Sequence, residues 1–145
     1  MTPLSKKELT NLLDRNLPDA DKRGEVIEEI GKDYVSLRLP VIKDYISHDL
    51  YGLGETMLLS GPIIMGFAET SLYACAHAIY GKDVVALIIN CNISFLRMTG
   101  SEDLVSTARI LEKGKSVARI HATICTINYK EPVAVVESSY SIKEV

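Results

Sequence analysis

The chain has 145 residues, enough for one domain that buries about 70% of its unfolded surface. Its apolar share of 47% and charged share of 24% suit a soluble globular protein, and a net charge of −3 without a basic stripe argues against nucleic-acid binding. No run reaches the roughly 18 apolar residues of a membrane span, and the first residues lack the apolar core of a secretory signal, so the expected setting is the cytoplasm, with no membrane partner.

In chain order, Ser5 with Glu8 three residues on makes a capping-box pattern. Leu4, Leu9, Leu12 and Leu13 then mark one apolar face of a short helix that Pro18 ends at the latest. A polar connection follows, then strand-like residues from Val26 to Ile30. The alternation of Val35, Leu37 and Leu39 against Ser36 and Arg38 predicts a strand. A loop rich in Asp, Gly and aromatics carries His48, and "ETMLL", residues 55–59, predicts a very short strand.

The stretch from Gly61 to Gly81 reads as a helix that is apolar nearly all round, with Gly81 as its C-terminal cap. After it the period changes from helical to two. Cys91, Ile93 and Phe95 alternate against Asn90, Asn92 and Ser94. Two further runs are split by Lys113-Gly114, a hairpin signal, and a last strand follows the turn at residues 128–132. The pattern predicts an α+β domain, with one antiparallel sheet laid against a central helix. The expected division of the single domain 1–145 is an N-terminal helix within 1–18, a central helix over 61–80 and antiparallel strands over 84–142.

Glu69 is the anomaly of the central helix. The positions i±3 and i±4 hold Met65, Gly66, Leu72 and Tyr73, so no helical neighbour neutralises it. A helix this apolar must be wrapped on most sides, and a sheet covers one side, so a second subunit is expected to cover the rest. A carboxylate buried there costs free energy unless it is paired, hydrogen-bonded or working. It is therefore a candidate general base or nucleophile. The plainer alternative is a Glu that reaches water, or an Arg across a dimer seam.

Cys75, Cys91 and Cys125 have no ligand spacing, which argues against a zinc site and suits free thiols in a reducing compartment. No Gly-rich phosphate loop, Ser nucleophile elbow or HExxH occurs, and no cofactor is expected. His77 reads as a helix-end packing residue, and His121 as a residue of an outer strand face or a subunit seam. Arg97, Arg109, Lys113 and Lys115 are ordinary strand-end charges that could also meet phosphates. Met65, Phe67 and Phe95 would line an apolar pocket.

The residues then resemble a family. The order of elements is similar to the hotdog fold, and the motifs resemble the hotdog acyl-CoA thioesterases of the phenylacetate-pathway (PaaI-like) branch. In that branch a His-Gly-Gly motif opens the helix, and an acidic residue follows nine positions after the His. "SGPIIMGFAETS" aligns with it without a gap: Ser60 falls on the His, Gly61 and Pro62 on the glycines, and Phe67-Ala68-Glu69-Thr70 on the acidic segment. "NCNISFLRM" resembles the family's Asn-x-x-Phe-Leu-Arg-Pro strand end, with Met98 for the Pro.

The resemblance implies hydrolysis of an acyl-CoA or related thioester, with the Gly61 N–H polarising the carbonyl. It implies that Glu69, from the other subunit, attacks the carbonyl or activates a water. It implies a substrate site around Ser60, Pro62, Met65 and Thr70, CoA thioester as substrate, and a homodimer that pairs again into a dimer of dimers. The departures are Ser60 for the His, Gly54 (with Glu55 beside it) where Asn or Gln is frequent, and apolar Ile88 where some members carry a polar group. Two alternatives stay open: a non-catalytic binder of acyl thioesters or apolar ligands, and a hydroxyacyl-thioester dehydratase or hydratase.

Overall fold

The computed structural model describes residues 3–47, 58–128 and 131–145. Helix α1 spans Lys6–Asn16. Its capping box is formed: the Glu8 N–H donates to Ser5 Oγ at 3.1 Å, and the Ser5 N–H donates to Glu8 Oε2 at 2.8 Å. Leu9 and Leu12 are buried, and Leu17, next to Pro18, is extended and ends the helix. Strands β1 (Val26–Ile30) and β2 (Tyr34–Leu39) pair antiparallel across a tight connection, in which the Gly31 N–H donates to the Tyr34 carbonyl at 2.8 Å. The expected alternation holds in β2: Val35, Leu37 and Leu39 are buried, and their neighbours are half-buried.

A two-residue pair, β3 (Ile46–Ser47) with β4 (Leu58–Leu59), precedes the central helix α2 (Gly61–Tyr80). Gly81 caps α2 with φ 89°, a conformation that suits glycine, and its N–H donates to the His77 carbonyl at 2.8 Å. Then come β5 (Val84–Phe95), β6 (Leu104–Lys113), β7 (Val117–Thr126) and β8 (Pro132–Glu144). The six-stranded antiparallel sheet has the order β1-β2-β6-β7-β8-β5, so β5 lies at an edge beside the last strand. The β6–β7 hairpin turns at Gly114, whose N–H donates to the Val117 carbonyl at 3.0 Å.

One face of the sheet packs on α2. Leu37, Leu39, Leu104, Ile120, Ile124 and Val136 meet the helix side formed by Phe67, Leu72 and Cys75 in one core. Strand β5 departs from simple alternation. Its register on β8 shifts between Ile88, opposite Tyr140, and Asn90, opposite Ser139. Ile89 is the extra residue of a bulge. The bulge resets the phase, so Ala86 and Ile88 before it share the inner face with Cys91 and Ile93 after it. Asn90, Asn92 and Ser94 lie on the exposed outer face.

Candidate active site on the open stripe of the central helix

Helix α2 is wrapped by its own chain more fully than expected. Phe67, Ala68, Ser71, Leu72, Ala74, Cys75 and Ala76 are fully buried by the sheet on one side and α1 on another. One stripe stays open. Pro62, Met65 and Glu69 are exposed, at the i, i+3 and i+7 spacing of a single helix face. This corrects the expectation of a buried Glu69. Within the chain its carboxylate stands in the open, because the helix turns that one stripe past both the sheet and α1.

Phe67 also departs from expectation. It is fully buried in the core, whereas Met65 and Phe95 are 43% and 49% exposed. Pointing into the sheet side, Phe67 serves packing. The other two stand on the open side.

The N-terminus of α2 is anchored through backbone. The Ser60 N–H donates to the Tyr45 carbonyl at 3.0 Å, and the Ser60 carbonyl accepts from Ile63 and Ile64 at 3.1 and 3.2 Å. The Ser60 hydroxyl makes no capping bond. Gly61 is half-buried, and among the described residues a Cβ there would meet nothing closer than Phe95 Cε1 at 4.0 Å. Packing against the described residues therefore does not demand this glycine. Its N–H donates to no backbone carbonyl among the described residues. It is one of the orphan donors at the positive end of the helix dipole. Pro62 follows within the first turn, where a missing N–H costs nothing.

Beside Glu69 lies a cavity of about 370 Å³ between α2, the inner face of β5–β8 and the segment after α1. Arg23, Glu69, Thr70, Tyr73, Ile88 and Tyr140 line it. Thr70 is buried. Arg23 comes from far away in sequence, and no helical spacing could have announced it. Its guanidinium donates to Glu25 Oε2 at 3.0 Å and to the Asp21 carbonyl at 2.9 Å, and it lies against Gly66. Tyr73 accepts from Asn16 Nδ2 at 3.0 Å. Tyr140 faces inward from β8. Burial and, next, the Glu69 carboxylate raise its phenol well above the ordinary range, so it stays a hydrogen-bond donor. Arg23, Tyr73 and Tyr140 escaped sequence reasoning. Their signal exists only once the strand register is known. A larger hollow of about 670 Å³ lies at the other end of α2, around Tyr80 and Lys82, far from Gly61 and Glu69.

The remaining candidates fall elsewhere. His48, Gly54 and Glu55 lie outside the described residues. His77 is buried at the helix end. Its Nδ1 is 2.9 Å from the Gly81 carbonyl, its ring meets Tyr73 edge-on, and burial lowers its pKa. His121 pairs in register with Arg109 and Glu137 on the outer sheet face. Arg109 is held by Asp33 at 2.7 Å and Arg97 by Glu131 at 3.1 Å. Lys113 lies over the Tyr80 ring. Burial pushes the Cys75 thiol up to about 12, and burial with the Glu69 charge raises Cys91, so neither supplies a thiolate nucleophile. Among the described residues no helix is long and apolar enough to cross a membrane, and no cluster of three or more His, Cys, Asp or Glu could hold a metal.

The sequence pattern of the thioesterase superfamily matches residues 58–133, from β4 to the start of β8. No curated protein matches the chain. Among solved structures, a protein of a Silicibacter species provisionally described as a thioesterase is 26% identical, with a TM-score of 0.81 over 99% of this chain and 95% of that one. A thioesterase of Haemophilus influenzae has a TM-score of 0.81 at 17% identity, over 99% of this chain and 93% of that one. The Escherichia coli PaaI protein, from the phenylacetic acid degradation operon, has a TM-score of 0.77 at 16% identity, over 97% and 93%. At these identities the last two speak for the fold alone, and that fold is the hotdog.

Proposed function

This chain belongs to the thioesterase superfamily, and from that premise we propose that it hydrolyses the thioester of an acyl-CoA or related acyl thiol as a homodimer. The observation that carries the reading is the pairing on one helix of an open N-terminal N–H at Gly61 and an exposed carboxylate at Glu69.

The two groups cannot serve one thioester from the same chain. Eight residues of helix separate them, about 12 Å along the axis. That is longer than the span from a carbonyl oxygen to its attacking water. A two-fold pairing of the free β5 edges would set one protomer's Glu69 against its partner's Gly61. Exposed Leu87, Ile88 and Ile89 on β5, and the uncovered Pro62–Met65–Glu69 stripe, are what such a partner would cover.

In this arrangement the thioester carbonyl oxygen accepts from the Gly61 N–H at the positive end of α2. The Glu69 carboxylate takes a proton from a water whose oxygen adds to the carbonyl carbon. The tetrahedral intermediate collapses with cleavage of the C–S bond. The thiolate takes the proton from Glu69, releasing thiol and free acid and restoring the carboxylate. Ser60, Pro62, Met65 and Thr70 form the walls near the acyl thiol in this reading.

Free-thiol release from short, long and aromatic acyl-CoAs tests it. Wild type should turn over at least one substrate, and Glu69→Ala should lose roughly 100-fold or more in kcat, about 2.7 kcal/mol of barrier. A silent wild type, or an equally active Glu69→Ala, would sink the catalytic reading. It would favour a binding protein, a role to which the apolar Ile88 in the cavity also lends itself.

A further inference from the structure

The cavity beside Glu69 holds few polar groups free to act. Strand β5 contributes Ala86, Leu87 and Ile88 to it, all apolar. Arg23 is anchored through Nη1 to Glu25 and to the Asp21 carbonyl, with the rest of its guanidinium against Gly66. The Tyr73 hydroxyl is drawn toward α1 by Asn16. Cys91, also near Glu69, keeps a protonated thiol, which is a weak donor. Tyr140 differs from all of these. It sits directly across the sheet from Ile88, on the same inner face, and lines the cavity with Glu69. Its ring is almost wholly buried, and its hydroxyl has no hydrogen bond to any described residue. The ring is packed in the core while the hydroxyl oxygen stays accessible at the cavity wall, where a water can meet it.

We propose that Tyr140 is a further catalytic residue, whose hydroxyl holds the attacking water against the Glu69 carboxylate. The phenol donates to one lone pair of the water, and Glu69 accepts one of its protons. The other lone pair is left facing the thioester carbon. No proton leaves Tyr140 in the cycle. Burial and the neighbouring Glu69 charge keep it in the neutral, donating form. The proposal rests on the thioesterase reading for its catalytic consequence, but the coupling between phenol and carboxylate can be measured without turnover.

Tyr140→Phe keeps the ring and its packing and removes only the donor. On the best substrate it should lower kcat roughly 10–100-fold and leave KM within about twofold. The phenol's bond to the water makes that water a better donor to the carboxylate, so its loss should move the acid limb of the pH–rate profile upward by about 0.5–1 pH unit. The second arm is carboxyl ¹³C NMR of Glu-labelled protein, with the Glu69 resonance assigned through Glu69→Gln. Its midpoint should rise by the same amount in Tyr140→Phe. The other charged or titratable groups facing the site are Asp21 and Arg23 from the segment after α1, Tyr73 on α2 and Cys91 on β5. All are unchanged in the variant, so the shift reports Tyr140.

If kcat and both midpoints stay at wild-type values, Tyr140 is a packing residue and the proposal is overturned. If no acyl-CoA is turned over by wild type, the thioesterase reading fails on its own. The NMR midpoint then still decides whether Tyr140 holds water at Glu69: a rise supports it and an unmoved midpoint overturns it.

Discussion

Gly66 shows how one residue sets the wall of the site. A Cβ there would collide with the Arg23 guanidinium, which is itself held in a pair with Glu25 at 3.0 Å. That pair is mostly buried, with side chains 15% and 6% exposed, so a guanidinium pushed off its seat leaves a carboxylate uncompensated. Gly66→Ala should therefore destabilise the fold by roughly 1–3 kcal/mol despite the better helix propensity of alanine. Urea denaturation would show it as a lower midpoint at unchanged slope. Asp103 carries a separate prediction. Its carboxylate accepts from the Val41 N–H at 3.0 Å and from Arg38 at 3.0 and 2.7 Å, and these hold its pKa below the ordinary value. A lowered folded-state pKa contributes stability above the unfolded value, and that stability is lost as pH falls through the folded one. Asp103→Asn should thus be less stable than wild type at neutral pH, and the difference should shrink in acid. Paired denaturation curves at pH 7 and pH 3 would check it.

At the scale of elements, α2 and β5 decide what the site looks like. The uniform apolarity of α2 predicted a wrapped helix, and most of it is wrapped. Phe67 sits on the wrapped side, in the core. Phe67→Ala should then cost roughly 3–5 kcal/mol of stability without changing the order of preference among acyl groups. Thermal unfolding and the same thiol-release panel test the two halves of that statement; a changed acyl preference at intact stability would return Phe67 to the pocket. The helices and long strands were legible in the sequence because capping residues, apolar period and the Lys113-Gly114 turn all agreed. The bulge at Ile89 was not. "ALIIN" reads as a continuous apolar run, and the extra residue shows only when the strand is laid against β8. That bulge is what turns Ile88 and Cys91 to the same face.

At the scale of the whole molecule, β5 is an edge strand among the described residues, and its exposed Leu87, Ile88 and Ile89 and the open stripe of α2 are left for a partner to cover. Unpaired edge strands invite pairing, and charge on an edge suppresses it. Ile89→Lys should halve the mass seen by light scattering and abolish thiol release while leaving the far-UV circular dichroism of the protomer intact. An Ile89→Lys protein that stays dimeric, or a monomer with full activity, would refute the shared site.

The sequence by itself determined the α+β class, the central helix, the meander after it and the family resemblance. These rest on local period, caps and short ungapped motifs, which the chain carries within a few residues of one another. It also marked Glu69 as out of place on an apolar helix. Only the tertiary structure decided that Glu69 stands on an open stripe and not in the core, because burial depends on which neighbours reach that face. It alone brought Arg23 and Tyr140 to the Glu69 cavity, from 46 residues before and 71 residues after. Residues so far apart in the chain share no local pattern; strand register and helix packing bring them together.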